Sequence, residues 1–333
     1  MKSALVSIIT PCYNGEEFLD NYFESIIAQT YRPIELIFVN DGSADRTEEI
    51  ALSFREALES NGITYKYLYQ PNGGQARAMN TGLREMTGEY LIWPDSDDLL
   101  TPDSIAKRVA FLEAHPEYAL VRSNGYFYDF NTGRPLRRVS DKDNRFHEEI
   151  FLEMILEETY CCCGCYMLRT SALKNIYPDL TIDESYAGQN WQILIPMVGK
   201  HLCGYIDEDL YQIMERPNSH SRQKRTLGEA IDRYRELRRV LEDGIRLSGR
   251  TDRDYARIVE IKYQKIYLLV YMRYNDLNNA ERCYRELQRQ KALDGFEVPL
   301  YLKTIHPVKY RLFLMRKRFD RLMHKLRGFV QNN

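Results

Sequence analysis

Three carboxylates crowd one short stretch: Asp95, Asp97 and Asp98, with Ser96 between the first two, directly after the apolar run Tyr90-Leu91-Ile92-Trp93-Pro94. Acids this close repel one another unless something cationic neutralises them, and hard oxygen donors suit Mg2+ or Mn2+. Acids ahead of Pro102-Asp103-Ser104 would also favour the dipole of a following helix, which accounts for Asp103 better than for the earlier run. Three other apolar runs end in turns loaded with hydrogen-bonding side chains: Thr10-Pro11-Cys12-Tyr13-Asn14-Gly15, Asn40-Asp41-Gly42-Ser43 and Gln70-Pro71-Asn72-Gly73-Gly74-Gln75. One such turn is ordinary loop chemistry. Four in register along one sheet edge indicate a site for a polar ligand. The chain has no Gly-x-x-x-x-Gly-Lys-Ser/Thr loop, so a divalent ion is left to hold a diphosphate.

The elements that must position these turns follow from the pattern of apolar residues. From Leu5 to about Tyr128, strand-like stretches (5–10, 35–40, 65–70, 90–94) alternate with helix-like ones (18–30, 47–58, 75–86). That rhythm, with nearly continuous apolar strands, predicts an α/β fold: a mostly parallel sheet flanked by helices, with ligands bound beyond the carboxyl ends of the strands. Residues 146–215 read as mixed, with helices over 148–158 and 188–198. Between them Cys161, Cys162, Cys163 and Cys165 fall within five residues. They read as a buried strand in a reducing compartment rather than a metal cluster, because adjacent strand residues face opposite ways and no second Cys-x-x-Cys pair completes a zinc site. From Thr226 onward the pattern is helical: 227–247, 252–274 and 277–290.

Composition narrows the classes. The chain has 333 residues, 46 Lys and Arg against 48 Asp and Glu, a formal charge of −2, and 44% hydrophobic residues. This is globular composition with room for about two domains, and the charge balance argues against a nucleic-acid partner. No apolar run approaches the roughly 18–20 residues of a membrane span. The apolar stretch near Met1 is too short for a signal peptide and is interrupted at Thr10 and Pro11.

The segments Ser-Ile-Ile-Thr-Pro-Cys-Tyr-Asn-Gly (7–15), Val-Asn-Asp-Gly-Ser (39–43), Asn-Gly-Gly-Gln-Ala (72–76), Asn-Thr-Gly-Leu (80–83) and Gly-Glu-Tyr-Leu-Ile-Trp-Pro-Asp-Ser-Asp-Asp (88–98) resemble family 2 glycosyltransferases of the GT-A, Rossmann-like fold. The resemblance is strong over residues 5–103 and looser to about 222. It implies that Pro11 and Tyr13 frame a nucleobase with Asn14 nearby, and that Asp41 accepts from the ring N–H. An aromatic ring and a carboxylate suit uracil, whose N3–H is a donor. It further implies that Asp95 lies by the ribose and the ion, with Ser96 in the same nucleotide-binding turn. Asp97 then holds the ion that bridges the diphosphate. Arg77 either reaches the phosphates or lies on the surface: many members place Arg immediately before the Asn of the Asn-Thr-Gly turn, where this chain has Met79. Residues 216–222 resemble the segment that closes over the diphosphate, in which His220 completes the metal shell and Arg222 contacts phosphate. The plain alternative is a polar loop leading into the helices.

One departure bears on mechanism. Inverting members usually carry Glu-Asp before an aromatic residue at the start of the helix under the acceptor, the Asp being the general base. Here the stretch is Gly188-Gln189-Asn190-Trp191, so Asn190 holds the base's position without being able to act as one. Three explanations stand. Asp183 or Glu184 supplies the carboxylate; the acceptor is an already anionic phosphate oxygen; or the chain binds nucleotide-sugar without efficient transfer. Trp191 is either a sugar platform or a core residue.

Tyr263, Tyr267, Tyr271, Tyr274 and Tyr284 recur at helical spacing, as in a packed helical appendage or, less simply, a partner-binding face. Residues 303–333 hold nine Lys or Arg and one acid, Asp320, a net of +8, beside the apolar stripe Leu312, Met315, Phe319, Leu322, Leu326 and Phe329. That is the pattern of a helix on an anionic membrane surface, or of a docked terminal helix with a solvated basic face. The expected division is a GT-A domain over 1–222, a helical region over 223–302 and a basic amphipathic segment over 303–333. The expected function is inverting, Mn2+- or Mg2+-dependent transfer from a UDP-type sugar donor to a surface-glycan or lipid-linked hydroxyl. The alternatives are transfer to polyprenyl phosphate and a non-catalytic nucleotide-sugar binder. The expected location is cytoplasmic, peripheral on the inner membrane face.

Overall fold

The computed structural model describes residues 3–216, 224–293, 297–305 and 315. Val6–Cys12 (β1), Ile34–Asp41 (β2) and Ile63–Gln70 (β3) form the first strands, and β1 and β2 are buried almost throughout. Leu19–Ile27 (α1) joins the first two, Thr47–Ser53 (α2) and Arg55–Ser60 (α3) the next two, and Gln75–Glu85 (α4) leads to Tyr90–Ile92 (β4). The strands lie side by side in the order β3-β2-β1-β4, all parallel. Strand β2 accompanies β1 as far as Cys12, whereas β4 pairs with it only over Val6–Ile8. Beyond Ile8 the two strands separate, as at the switch point of an open α/β sheet, and Pro11 sits where a missing N–H costs little.

The second half continues with Leu99–Leu100 (β5), Ser104–Ala114 (α5), Leu120–Asp129 (β6), Pro135–Arg138 (β7), Phe151–Leu156 (α6), Tyr166–Arg169 (β8), Thr170–Lys174 (α7), Gln189–Lys200 (α8) and Cys203–Glu215 (β9). Strand β8 inserts antiparallel between β4 and β6; β9 runs parallel to β6, while β5 and β7 pair antiparallel with β9 and β6. Among the described residues the sheet has nine strands. The parallel arrangement thus holds for the first four, and the remainder is mixed.

Local readings shift in three places. The helix expected over 47–58 is two helices meeting at Phe54. The one expected over 148–158 shortens to α6, because Glu157 turns left-handed at φ +58° and ends it. The cysteine stretch is not a strand: Cys163–Cys165 is a short 3-10 turn ahead of β8. Gly164 explains this, since a Cβ there would stand 2.1 Å from the Tyr211 ring. Its carbonyl also accepts from the fully buried Arg108 Nη2 at 2.9 Å. Arg108 donates in addition to Ser104 Oγ and Ser123 Oγ, at 2.5 and 2.7 Å, and burial draws its pKa down to about 10. All seven cysteines are free thiols.

The chain forms two compact units, and the division differs from a cut at 222. The first runs to Lys224 and also takes in Glu236–Arg253; the second comprises Arg225–Arg235 and the described residues from Asp254 onward. Helix α9, Leu227–Ser248, therefore belongs to both. In the second unit Tyr255–Arg273 (α10) and Leu277–Arg289 (α11) are capped by Asp254 and Asp276, whose carboxylates accept from Arg257 N–H and Asn279 N–H at 3.0 and 3.2 Å. Leu268, Ala280, Cys283 and Leu287 form its core with Glu297–Ile305 (α12), and Tyr284 stacks on Tyr301 with ring centres 3.7 Å apart. Tyr263 is buried, Tyr267, Tyr271 and Tyr284 pack against this core, and Tyr274 donates from its hydroxyl to Arg225 O, which fits the packed-appendage reading. Beyond Ile305 the basic segment lies outside the described residues apart from Met315. Among the described residues no helix is long and apolar enough to cross a membrane.

A candidate active site at the strand ends

The loops after β1 and β2 are tied together. Asn14, left-handed at φ +52°, accepts from Ala44 N–H through Oδ1 and donates its own N–H to Ser43 Oγ, each at 2.9 Å. Between them Tyr13 stands 54% exposed, a free aromatic face beside Pro11 at the end of β1.

Asp41 is buried and already engaged. Its Oδ1 accepts from Gln70 Nε2 at 2.7 Å and Gly73 N–H at 2.9 Å, and its Oδ2 accepts from Gly74 N–H at 2.9 Å. Asn72 Nδ2 also donates to the Asp41 carbonyl at 3.0 Å. The carboxylate therefore clasps the loop after β3 to the end of β2, leaving about one of its four lone-pair directions open. Gly42, at φ +73°, is required here: a Cβ would meet Asn72 N at 2.5 Å. Arg77, on the first turns of α4, lays its stem over Gly73 and is exposed.

The acidic turn follows β4 and is bracketed by β9. Asp95 N–H donates to Tyr211 Oη at 3.1 Å; Asp95 Oδ1 accepts from Gln75 Nε2 at 3.0 Å and Oδ2 from the Cys163 thiol at 3.4 Å. Ser96 is buried within the turn. Asp97 pairs with Arg216, and Asp98 Oδ1 accepts from Met214 N–H at 2.8 Å. Burial, and then the neighbouring Asp97, pushes Asp95 up to about 6; burial with Asp97 and Asp95 pushes Asp98 well up too.

These acids suit a divalent cation. The donors are hard oxygens, and among the described residues Arg216 is the one cationic side chain in contact with any of the three carboxylates. Also among the described residues, no three His, Cys, Asp or Glu side chains converge into a ready-made cage. A Mg2+-like ion needs none, since it is usually held by one or two carboxylates together with substrate phosphates and water. His220 and Arg222 lie outside the described residues.

The start of α8 reaches the same turn. Gln189 Nε2 donates to Gln75 Oε1 at 2.6 Å, so an amide chain runs from Gln189 through Gln75 to Asp95. Asn190 Oδ1 accepts from Trp93 Nε1 at 3.1 Å. Trp191 is 9% exposed, as a core residue would be. Asp183 is not brought to this group: it pairs with Arg239 at 2.5 Å and lines a separate cavity with Tyr177, Gln192 and Asp243. Glu184 is exposed and has no hydrogen bond or ion pair among the described residues. Four participants were missed by sequence reasoning: Gln75, Cys163, Tyr211 and Tyr186, the last 88% exposed beside Gly74. Gln75 stood within a recognised motif and Cys163 within the cysteine cluster, there read as a buried strand; Tyr211 and Tyr186 gave no local signal.

The raised Asp95 sets a pH dependence. A carboxyl that binds its proton more tightly when folded contributes stability below its ordinary pKa near 4, and that contribution is lost as pH rises through about 6. In metal-free protein Asp95→Asn removes this loss. The variant is expected to gain stability over the native chain by on the order of 2 kcal/mol between pH 4 and pH 7.5. Denaturant unfolding of both proteins across that range checks it, and a constant difference contradicts it.

A sequence profile described as "Glycosyl transferase family 2" matches residues 7–177, slightly over half of the chain. A protein of Rickettsia typhi (strain ATCC VR-144 / Wilmington), described as an uncharacterized glycosyltransferase, is 44% identical over 110 residues, 33% of this chain and 32% of that protein. The match thus spans about a third of that relative's length. The minor teichoic acid biosynthesis protein GgaB of Bacillus subtilis (strain 168) is 32% identical over 223 residues, 65% of this chain and 23% of that protein. Among solved structures, S. aureus TarS 1-349 in complex with UDP-GlcNAc superposes with a TM-score of 0.56 at 20% identity, covering 90% of this chain and 79% of that one. At that identity the likeness is one of fold, and the fold is GT-A.

Proposed function

The chain belongs to glycosyl transferase family 2, and from that premise we propose that it is an inverting transferase. It moves a sugar from a nucleoside-diphosphate donor, UDP-linked, to a hydroxyl of a surface-glycan or lipid-linked acceptor. One observation carries this: an open aromatic face, a buried carboxylate clasping a glycine loop and an acid-rich turn meet at the carboxyl ends of the parallel strands. The UDP-GlcNAc complex of TarS and the teichoic acid role in GgaB's name support the donor and acceptor classes.

In this reading Pro11 and Tyr13 hold the base with Asn14, and Asp41 offers its remaining lone pair to the ring N–H. Arg77 and Ser96 flank the phosphates. Asp95 and Asp97, with His220, would hold Mn2+ or Mg2+, which supplies electrostatic stabilisation of the departing diphosphate. The amide chain from Gln189 through Gln75 orients the Asp95 carboxylate.

Glu184 is the proposed general base, since Asp183 is occupied by Arg239. Glu184→Gln is expected to lower sugar transfer roughly 100-fold with donor affinity unchanged, while Asp183→Asn leaves transfer near the native rate. Steady-state transfer and UDP titration of both variants test this. A second reading, an anionic phosphate acceptor that needs no base, is favoured by the two amides at the start of α8. Native rates in both variants would support it over a hydroxyl acceptor. The basic segment 303–333 is proposed to rest on the anionic cytoplasmic face of the membrane. The 333-residue chain should pellet with anionic vesicles more than a chain ending at 302, and equal pelleting contradicts that placement.

A further inference from the structure

Arg216 is held in an unusual way. It directly follows strand β9, whose last residue, Glu215, is anchored by its register with Asp129 and by Phe130 N–H donating to Glu215 O at 3.2 Å. The guanidinium carbon lies 4.6 Å from the centre of the Phe18 ring and 5.7 Å from that of Phe130. Its Nη2 donates to Asp97 Oδ2, while its Nε is buried with no acceptor among the described residues. A structural Arg–carboxylate pair usually engages two parallel N–H groups. Here one donor is used on Asp97 and another is orphaned.

We infer that Arg216 is a resident counter-cation of Asp97, which a divalent ion entering the acidic turn has to displace. This rests on the proposed role of that turn as the ion's site. Asp95 is hydrogen-bonded by neutral groups, Gln75 and Cys163, and Asp98 by the Met214 backbone, so the guanidinium's charge falls on Asp97. A metal ion would compete with the guanidinium for the Asp97 carboxylate, and the two cations would repel each other. The ion therefore binds weakly to the donor-free protein. A nucleoside diphosphate, by adding negative charge, relieves the competition, so ion and nucleotide strengthen each other's binding by the same factor. The aromatic faces of Phe18 and Phe130 keep the cation beside the turn and make the exchange local.

Mn2+ affinity, followed by the electron paramagnetic resonance signal of the free ion, tests this without reference to turnover. The full chain, Arg216→Gln and Arg216→Lys are titrated with and without UDP. Without UDP, Arg216→Gln is expected to bind Mn2+ roughly tenfold more tightly than the native chain, the scale of one charge-assisted hydrogen bond. Arg216→Lys, which keeps the charge, stays within about threefold of native on the same scale. Adding Asp97→Asn to Arg216→Gln cancels the gain and locates it at Asp97. Equal or weaker Mn2+ binding by Arg216→Gln overturns the counter-cation role while leaving the ion site standing. Failure of the native chain and Arg216→Gln alike to retain Mn2+ in the presence of UDP overturns the ion site itself, and this inference with it.

Discussion

Replacing Asp97 by asparagine lowers Mn2+-supported nucleotide release from the sugar donor by roughly two to three orders of magnitude without weakening the fold. The two halves of that expectation have separate causes. Asparagine keeps the shape of the side chain and an oxygen that still accepts from Arg216, but loses the charge that would hold the ion. Asp97 is also one of the groups that pushes Asp95 and Asp98 up. Removing its charge relieves that repulsion, so thermal stability near pH 7 stays level or rises. Parallel measurement of the thermal midpoint and of release separates function from structure. A fall in both together, or release at the native rate, contradicts the assignment.

Asp41→Ala has the opposite profile, with structure and binding falling together. The substitution strands Gln70 Nε2 and the N–H groups of Gly73 and Gly74 in a largely buried place. Unsatisfied buried donors cost about 1–3 kcal/mol each, with partial relief by water. The total is on the order of 3 kcal/mol, or roughly 5–10 °C in thermal midpoint for a chain of this size. Because the same carboxylate sets the loop above α4 and faces the proposed base pocket, UDP affinity falls by at least about tenfold. Asp41→Asn keeps one acceptor oxygen but turns an amide toward the Gly74 N–H, so it lies between. A native thermal midpoint and native UDP affinity in Asp41→Ala would show that the clasp is ornamental.

The parallel half of the sheet was readable chiefly because β1 and β2 are buried on both faces. Leu-Ile-Phe-Val in β2 and Val-Ser-Ile-Ile in β1 read as strands with no tertiary information. The polar turns were readable for the same reason, since each begins where such a run stops. The second half resisted. Strand β8 has four residues, and its insertion between β4 and β6 depends on partners far along the chain. The cysteines looked like strand residues because periodicity does not register a close approach such as Gly164 to Tyr211. Arg108 gave no signal in the sequence, yet lies in the core with its Nη1 and Nη2 donating to hydroxyls and a carbonyl. At the site, the types of Asp95 and Asp97 were enough to single them out. The link between Gln189 and Gln75, 114 residues apart, was not legible, nor was the capture of Asp183 by Arg239. Both depend on where α8 and α9 come to rest.

The most direct measurement is release of nucleoside diphosphate from a panel of nucleotide sugars by the full chain, with Mn2+ and with chelator. The account predicts release from a UDP-sugar that requires the ion and is lost in Asp97→Asn. Tight UDP binding with no release from any donor, ion present or absent and acceptor glycans supplied, would contradict it and mark the chain as a nucleotide-sugar binder rather than a transferase.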